Sequence, residues 1–228
     1  MIQTVVFDLD DTLYDEVDYC LSGFACVAPD LAALSNEHNA ESVLAMLRER
    51  FLAGDREKLF NVTLDALGAP YDGAVIERLV AAYRNHRPTL ALPPESRAAL
   101  DQLRSRYTLA LLTDGFLPAQ KLKVEALGIA GYFHSIVYSE ELGRASWKPS
   151  PRGFERLMDL TDTPAERMAY VGDNEIKDFI APNALGMLTV QVLRPARLHT
   201  GRSPLPHARA AHVIGRLGDL PGLLEKAG

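Results

Sequence analysis

Four short segments of the chain carry side chains that can do chemistry. The first is Asp8-Leu9-Asp10-Asp11-Thr12, directly after the apolar run Thr4–Phe7. Carboxylates two residues apart can act as nucleophile and general acid, or as oxygen ligands of a hard cation. A calcium loop of EF-hand type needs Gly at its sixth place and Glu at its twelfth. Counted from Asp8, those places hold Leu13 and Tyr19, so that reading fails. No glycine-rich phosphate loop follows, which removes dinucleotide and Walker-type sites. The second segment is Leu112-Thr113-Asp114-Gly115, where a hydroxyl and the backbone N–H groups of a glycine turn can hold an anion. The third is Trp147-Lys148-Pro149-Ser150-Pro151, a lysine held in a stiff, extended stretch. The fourth is Gly172-Asp173-Asn174-Glu175-Ile176-Lys177-Asp178. Each has a bland alternative: an acidic turn, a simple turn, a solvated lysine, a helix N-cap. Only in combination do they specify a site.

The elements that must position these residues follow from periodicity. Thr4–Phe7, Leu109–Leu112, Ile136–Tyr138, Met168–Val171 and Leu188–Val192 are short apolar runs that read as strands. Helical patterns separate most of them: Glu95–Arg106, Pro118–Leu127, Pro151–Leu160 and about Asp178–Leu185. Strands alternating with helices predict an α/β fold, a Rossmann-like doubly wound parallel sheet. Ligands of such sheets bind at the carboxyl ends of the strands. Asp8, Thr113 and Asp173 all fall at such ends. Between Asp15 and Ala91 the rhythm breaks, and only helical stripes remain. A helix around Tyr19–Val27 is followed by stripes through Val43/Leu47/Phe51, Leu59/Thr63/Leu67 and Val75/Leu79/Tyr83. This predicts an inserted all-helical domain of residues 15–91, with the core formed by 1–14 and 92–228.

In their order along the chain, the four segments resemble the haloacid dehalogenase superfamily, in particular phosphatases with a helical cap inserted after the first strand. The resemblance rests on Asp8-x-Asp10-x-Thr12, Thr113, Lys148 and Gly172-Asp173-x-x-x-x-Asp178. The chain departs from the usual pattern at Gly143, which stands five residues before Lys148 rather than three. It departs also at Ser150, where Asp is frequent. The resemblance implies an aspartyl-phosphate intermediate on Asp8, with Asp10 as the acid and base and Lys148 steadying the transferring group. It implies phosphate binding by Thr113, Lys148 and the backbone around Asp114 and Gly115. It implies Mg²⁺ held by Asp8, Asp173 and the backbone of Asp10, with Asp178 beside it. With Asp10 protonated, three carboxylate charges are matched by the metal and Lys148. The expected substrate is a small phosphomonoester: a sugar phosphate, a nucleoside monophosphate or a compound like phosphoglycolate. The alternatives are a 2-haloacid dehalogenase or a sugar phosphomutase. The dehalogenase needs no acid at position 10. The expected cap would close over the site and exclude water. Tyr14, Glu16, Arg48, Arg84, Arg87 and Phe116 are candidate substrate contacts.

Composition bounds the partners. A hydrophobic fraction of 47% and a charged fraction of 24% in 228 residues are those of a globular chain, neither disordered nor collagen-like. The net charge of −6 argues against a nucleic-acid binder that works by a basic face. No apolar run approaches the ~20 residues that span a bilayer, and the start MIQTVVFDLDD has no signal-peptide pattern. Cys20 and Cys26 read as reduced thiols of a cytoplasmic protein. One basic run stands apart. Between Val192 and Gly218 there are arginines and histidines but no acid. It reads as a loop, either solvated or clamping an anion.

Overall fold

The computed structural model describes residues 1–227. Six strands form one parallel sheet: β1 (Thr4–Phe7), β2 (Thr108–Thr113), β3 (Ser135–Tyr138), β4 (Met168–Gly172), β5 (Leu188–Val192) and β6 (His212–Ile214). Their order is β3-β2-β1-β4-β5-β6. Thr4 is in register with Thr108 on one side and with Met168 on the other. Chain order therefore reverses between β1 and β4, where open α/β sheets form their ligand crevice. β1 and β4 are buried along their whole length. This is why they read as continuous apolar runs rather than alternating ones.

Five helices belong to this unit: α5 (Pro94–Leu103), α6 (Ala119–Leu127), α7 (Arg152–Thr161), α8 (Ile180–Leu185) and α9 (Leu220–Ala227). Gly128 and Gly186 end α6 and α8 in the left-handed conformation, at φ 65° and 85°, where a side chain would be strained. α7 lies so close to the sheet that a Cβ on Gly153 would stand 2.5 Å from Leu112 Cδ1. The core joins Val6, Leu112, Phe154, Leu157, Met168, Tyr170 and Phe179. Phe154 meets Tyr170 edge-on with centroids 4.9 Å apart.

The chain divides into two compact units, Met1–Val17 with Ala91–Gly228, and Asp18–Leu90. The second is all-helical. It holds most of α1 (Glu16–Ala32), then α2 (Ala40–Leu52), α3 (Leu59–Ala66) and α4 (Gly73–Asn85). Asn39 and Asp72 cap α2 and α4, each accepting a backbone N–H at 2.9 Å. Its own core gathers Leu31, Val43, Leu47, Leu64 and Leu79, with Phe24 and Phe51 edge-to-face at 5.2 Å. Gly23 leaves room for the ring of Tyr83. Neither Cys20 nor Cys26 forms a disulfide. Among the described residues no helix is long and apolar enough to cross a membrane.

Two expectations need correction. The basic run is not wholly a loop, because β6 passes through it at His212–Ile214. Sequence periodicity missed this strand because it is short and its first two residues are exposed. The helix expected from about Asp178 starts at Ile180, so Asp178 lies in the turn before it, where its carboxylate accepts the N–H groups of Asp173 and Asn174.

Candidate active site

β1 delivers Asp8 to the crevice, and its N–H still follows the sheet, donating to Val171 O at 2.8 Å. Lys148 reaches the same point from the loop before α7. Its Nζ stands 2.8 Å from Asp8 Oδ1, 2.8 Å from Asp178 Oδ1 and 2.9 Å from the hydroxyl of Tyr170. All four side chains are buried. Burial alone would lower the Lys148 pKa, but the facing carboxylates of Asp178 and Asp8 hold it well above the usual lysine value. Burial likewise works to raise Asp178. Lys148, Lys177 and hydrogen bonds prevail and keep it below the carboxylate range. Its Oδ2 accepts the N–H groups of Asn174 at 2.8 Å and Asp173 at 3.2 Å. A Cβ at Gly172 would lie 2.7 Å from that oxygen, so the glycine before Asp173 makes room for the turn.

Asp173 is the uncompensated member. Its Oδ2 is buried without a hydrogen-bond partner. Burial, then the charges of Asp178 and Asp8, push its pKa up to about 9. Burial pushes Asp8 up to about 6 against the pull of Lys148. Oxygens of Asp8, Asp173 and Asp178 all lie within 4.8 Å of one another. Three crowded carboxylates, one of them orphaned, fit a hard divalent cation bound through oxygen. The residues present therefore suit the metal that the sequence implied.

Asp10 faces elsewhere. Lys123 of α6 holds both its oxygens, at 2.8 and 2.9 Å. Tyr14 donates its hydroxyl to Oδ1 at 2.5 Å, and Gln120 donates to Oδ2 at 2.9 Å. Burial works to raise the Asp10 pKa, but the charge and hydrogen bonds of Lys123, with Tyr14 and Gln120, hold it below the usual value. This corrects the charge count made from the sequence. Asp10 is ionised against a lysine that the count omitted. Four carboxylates are then matched by two lysines and one divalent ion, so the site remains neutral.

Gln120 also ties this group to the second strand. Its Nε2 stands 2.6 Å from Thr113 Oγ1 and 2.9 Å from Asp114 O. Accepting there leaves the Thr113 hydroxyl proton to donate elsewhere. The Asp114 carboxylate accepts from Ser139 Oγ at 2.6 Å and from Lys148 N at 3.1 Å. Gly115 turns the chain at φ 144°. Asp11, at φ 53°, accepts the N–H of Glu16 at 2.8 Å and of Leu198 at 2.6 Å.

The eight residues singled out from the sequence thus fall into one region of the first unit. Lys148, Asp8, Asp173 and Asp178 cluster directly, Asp10 stands in a second group, and Thr113 is joined to it by Gln120. Glu16 and Tyr14 belong to the Asp10 group. Phe116 packs edge-on to Trp147 at 5.5 Å. Arg48, Arg84 and Arg87 lie in the helical unit. Sequence reasoning missed Gln120, Lys123, Tyr170 and Asp11. A signal existed for the first two. They occur one turn apart on the same buried stripe as Val124 and Leu127, where apolar residues belong.

A parallel α/β crevice lined by a lysine-paired carboxylate triad defines the class, an α/β enzyme with buried aspartates at the carboxyl ends of its strands. Comparison with known proteins gives the same class a family. Haloacid dehalogenase-like hydrolase is the family matched by residues 2–186, and the chain belongs to it. A glyceraldehyde 3-phosphate phosphatase of Methanopyrus kandleri is 31% identical over 200 residues, covering 85% of each chain. A phosphoserine phosphatase of Thermus thermophilus is 34% identical over 72% of this chain and 62% of its own. A 2-haloacid dehalogenase of Pseudomonas syringae shares the fold, with TM-score 0.67 and 24% identity over the full length of both chains.

Proposed function

We propose that the chain is a Mg²⁺-dependent phosphatase that hydrolyses a small phosphomonoester through an aspartyl phosphate on Asp8. The observation that carries this reading is the pair of carboxylate groups with opposite surroundings. Asp8 lies with Lys148 beside two further acids. Asp10, two residues on, is held apart by Lys123. One group is built to take up phosphorus and the other to handle a proton. The relatives named as phosphatases support the same reading. Residues 1–14 and 92–228 would form the catalytic core, and 15–91 the cap that selects the leaving group. Two cysteines outside any disulfide fit a cytoplasmic protein.

Asp8, Asp173, Asp178 and the backbone of Asp10 would hold the metal, which supplies charge to offset the repulsion between a carboxylate nucleophile and a phosphate. The remaining work belongs to the chain. A carboxylate oxygen of Asp8 attacks phosphorus in line, and the bond to the ester oxygen breaks. Lys148 holds Asp8 in place and carries positive charge toward the transferring group. Thr113 and the N–H groups around Asp114 and Gly115 would bind its oxygens. Asp10, protonated once the substrate's charge has arrived, gives that proton to the leaving oxygen. It then takes one from the water that attacks the acyl phosphate, so Asp10 regains the proton it gave and Asp8 returns to a free carboxylate. A halide would leave without that proton. The group built around Asp10 therefore favours the phosphatase over the dehalogenase.

The test is release of phosphate from a generic phosphomonoester. Wild type with Mg²⁺ should turn over, EDTA should stop it, and Asp8→Asn should abolish it. Release of chloride from 2-chloropropionate without metal would overturn the reading.

A further inference from the structure

The basic run after Val192 takes no part in the chemistry above. Apart from a short turn at Pro206–Ala208, residues 193–211 are irregular. Loops of this length in a compact unit are uncommon and usually functional. This one is fastened to the loops that carry the catalytic aspartates. Leu198 N donates to Asp11 Oδ2 at 2.6 Å, and Arg194 Nε pairs with Asp15 Oδ1 at 2.6 Å. His199 Nε2 stands 3.7 Å from Glu16 Oε2. Ser203 N donates to Glu175 Oε1 at 3.2 Å.

Beside these fastenings lies a cavity of about 350 Å³. Leu193 and Val213 form part of its wall, and Arg197, Arg202 and Arg209 supply its charge. Glu175 is the only carboxylate among the lining residues. It is already engaged by Ser203 N and stands 3.9 Å from Arg209 Nε. Arg197 donates to the carbonyl of Arg194 at 3.0 Å, a contact that leaves its charge unmatched. Arg202 has no ion partner among the described residues. A protein of net charge −6 therefore gathers three guanidinium groups against one occupied carboxylate around a single cavity. The guanidinium fork matches the paired oxygens of phosphate and carboxylate. The cavity also shares two residues with the catalytic region. Glu175 follows Asp173 by two positions, and Gln191 donates Nε2 to the backbone oxygen of Asp173 at 2.8 Å.

We propose that this arginine-lined cavity is a subsite for a second oxyanion, phosphate or carboxylate, next to the catalytic aspartates. The oxyanion is either the far end of the substrate, which rests on the phosphatase reading, or a separate anion such as released phosphate. Two measurements on wild type and on Arg197→Gln/Arg202→Gln decide between these sources. The first is the ratio of kcat/KM for 3-phosphoglycerate to that for glycerol 3-phosphate, a pair differing by carboxylate against alcohol. A sugar bisphosphate beside its monophosphate extends the reach. A tenfold or greater fall of the ratio in the variant supports the subsite and assigns it to the substrate. The second is calorimetric titration of the Mg²⁺-loaded protein with inorganic phosphate. Loss of one of two wild-type sites, with the ratio unmoved, supports the subsite and assigns it to a separate anion. An unmoved ratio together with identical phosphate titrations overturns the proposal. If wild type hydrolyses no ester, the phosphatase reading falls and the titration alone decides the subsite.

Discussion

Replacing Asp173 by Asn should make the metal-free protein more stable while removing its response to metal. The carboxyl of Asp173 is buried, its Oδ2 has no partner, and its pKa stands at about 9 against an ordinary 3.8. Below pH ~4 the folded and unfolded states both carry this proton, and the group adds no pH dependence. Between pH ~4 and ~9 only the folded state binds it, so stability falls as pH rises. At ~1.4 kcal/mol per pH unit, keeping the proton at pH 7 costs about 4 kcal/mol. An amide has no charge to lose and offers donors to Asp8 and Asp178. Asp173→Asn should therefore raise the melting temperature in EDTA at pH 7 by on the order of 10 °C, at about 2–4 °C per kcal/mol for a chain of this size. The gain should be small at pH 5 and largest at pH 9. A residual slope below pH ~6 should remain from Asp8, whose pKa is about 6. Melts followed by circular dichroism at pH 5, 7 and 9 give the comparison. Adding Mg²⁺ should then raise wild type well above its EDTA value and leave the variant nearly unmoved. A variant that melts at or below wild type in EDTA at pH 7 would refute the reasoning, as would an equal Mg²⁺ shift in both proteins.

Lys123→Met removes the partner that orients Asp10. For an alkyl phosphate, whose leaving oxygen needs a proton, kcat/KM should fall by about 10²–10⁴. For p-nitrophenyl phosphate, which leaves without one, the fall should be far smaller, and equal losses would reduce Lys123 to a packing residue. Lys148→Met leaves Asp8 and Asp178 facing each other without the lysine they share, and with only the weaker pull of Lys177. Urea unfolding of the metal-free protein at pH 7 should register a loss of about 3–5 kcal/mol; a loss below 1 kcal/mol would mean that the triad relaxes around the gap.

The central strands β1 and β4 were legible because both their faces are buried. Thr4–Phe7 and Met168–Gly172 contain no solvent-facing position to blur the pattern. The aspartates of the candidate site were legible for a related reason. An acid that ends an apolar run is out of place in a core and points to chemistry. Gln120 and Lys123 left only the signal of their place on the buried stripe, although they are as buried as their apolar neighbours. On a helix, a polar residue at an inward position reads as a surface residue slightly off its face. Only the three-dimensional partner, Asp10, explains the burial. Asp11 was hidden differently. In the sequence it is one more acid in an acidic run. In the fold its two oxygens accept Glu16 N and Leu198 N, and the second of these comes from 187 residues away. Pairing over such a separation leaves no periodic trace. For the same reason the fastening of the basic loop could not be read from its composition.

The state of Asp10 is the point at which structure and chemistry must be reconciled. A general acid should hold a proton, yet Lys123 keeps this one ionised. The resolution lies in what the site lacks before substrate arrives. A phosphate dianion entering beside Asp8 adds negative charge close to Asp10, which raises the proton affinity of the carboxyl. Lys123 opposes that rise without cancelling it, because its charge is shared with Glu16 at 3.9 Å. Glu16 itself has been pushed up to about 7, by burial and then by the charge of Asp10. Two carboxyls thus share one lysine, and near neutral pH Glu16 is about half-protonated beside an ionised Asp10. In the proposed reaction that proton would be available to Asp10 once substrate is bound. When the alcohol had left, the lysine would again favour the ionised form, the form that can activate water. The pair of acids around Lys123 would thereby let one residue serve both halves of the proposed reaction, with the substrate's own charge setting which half it is ready for.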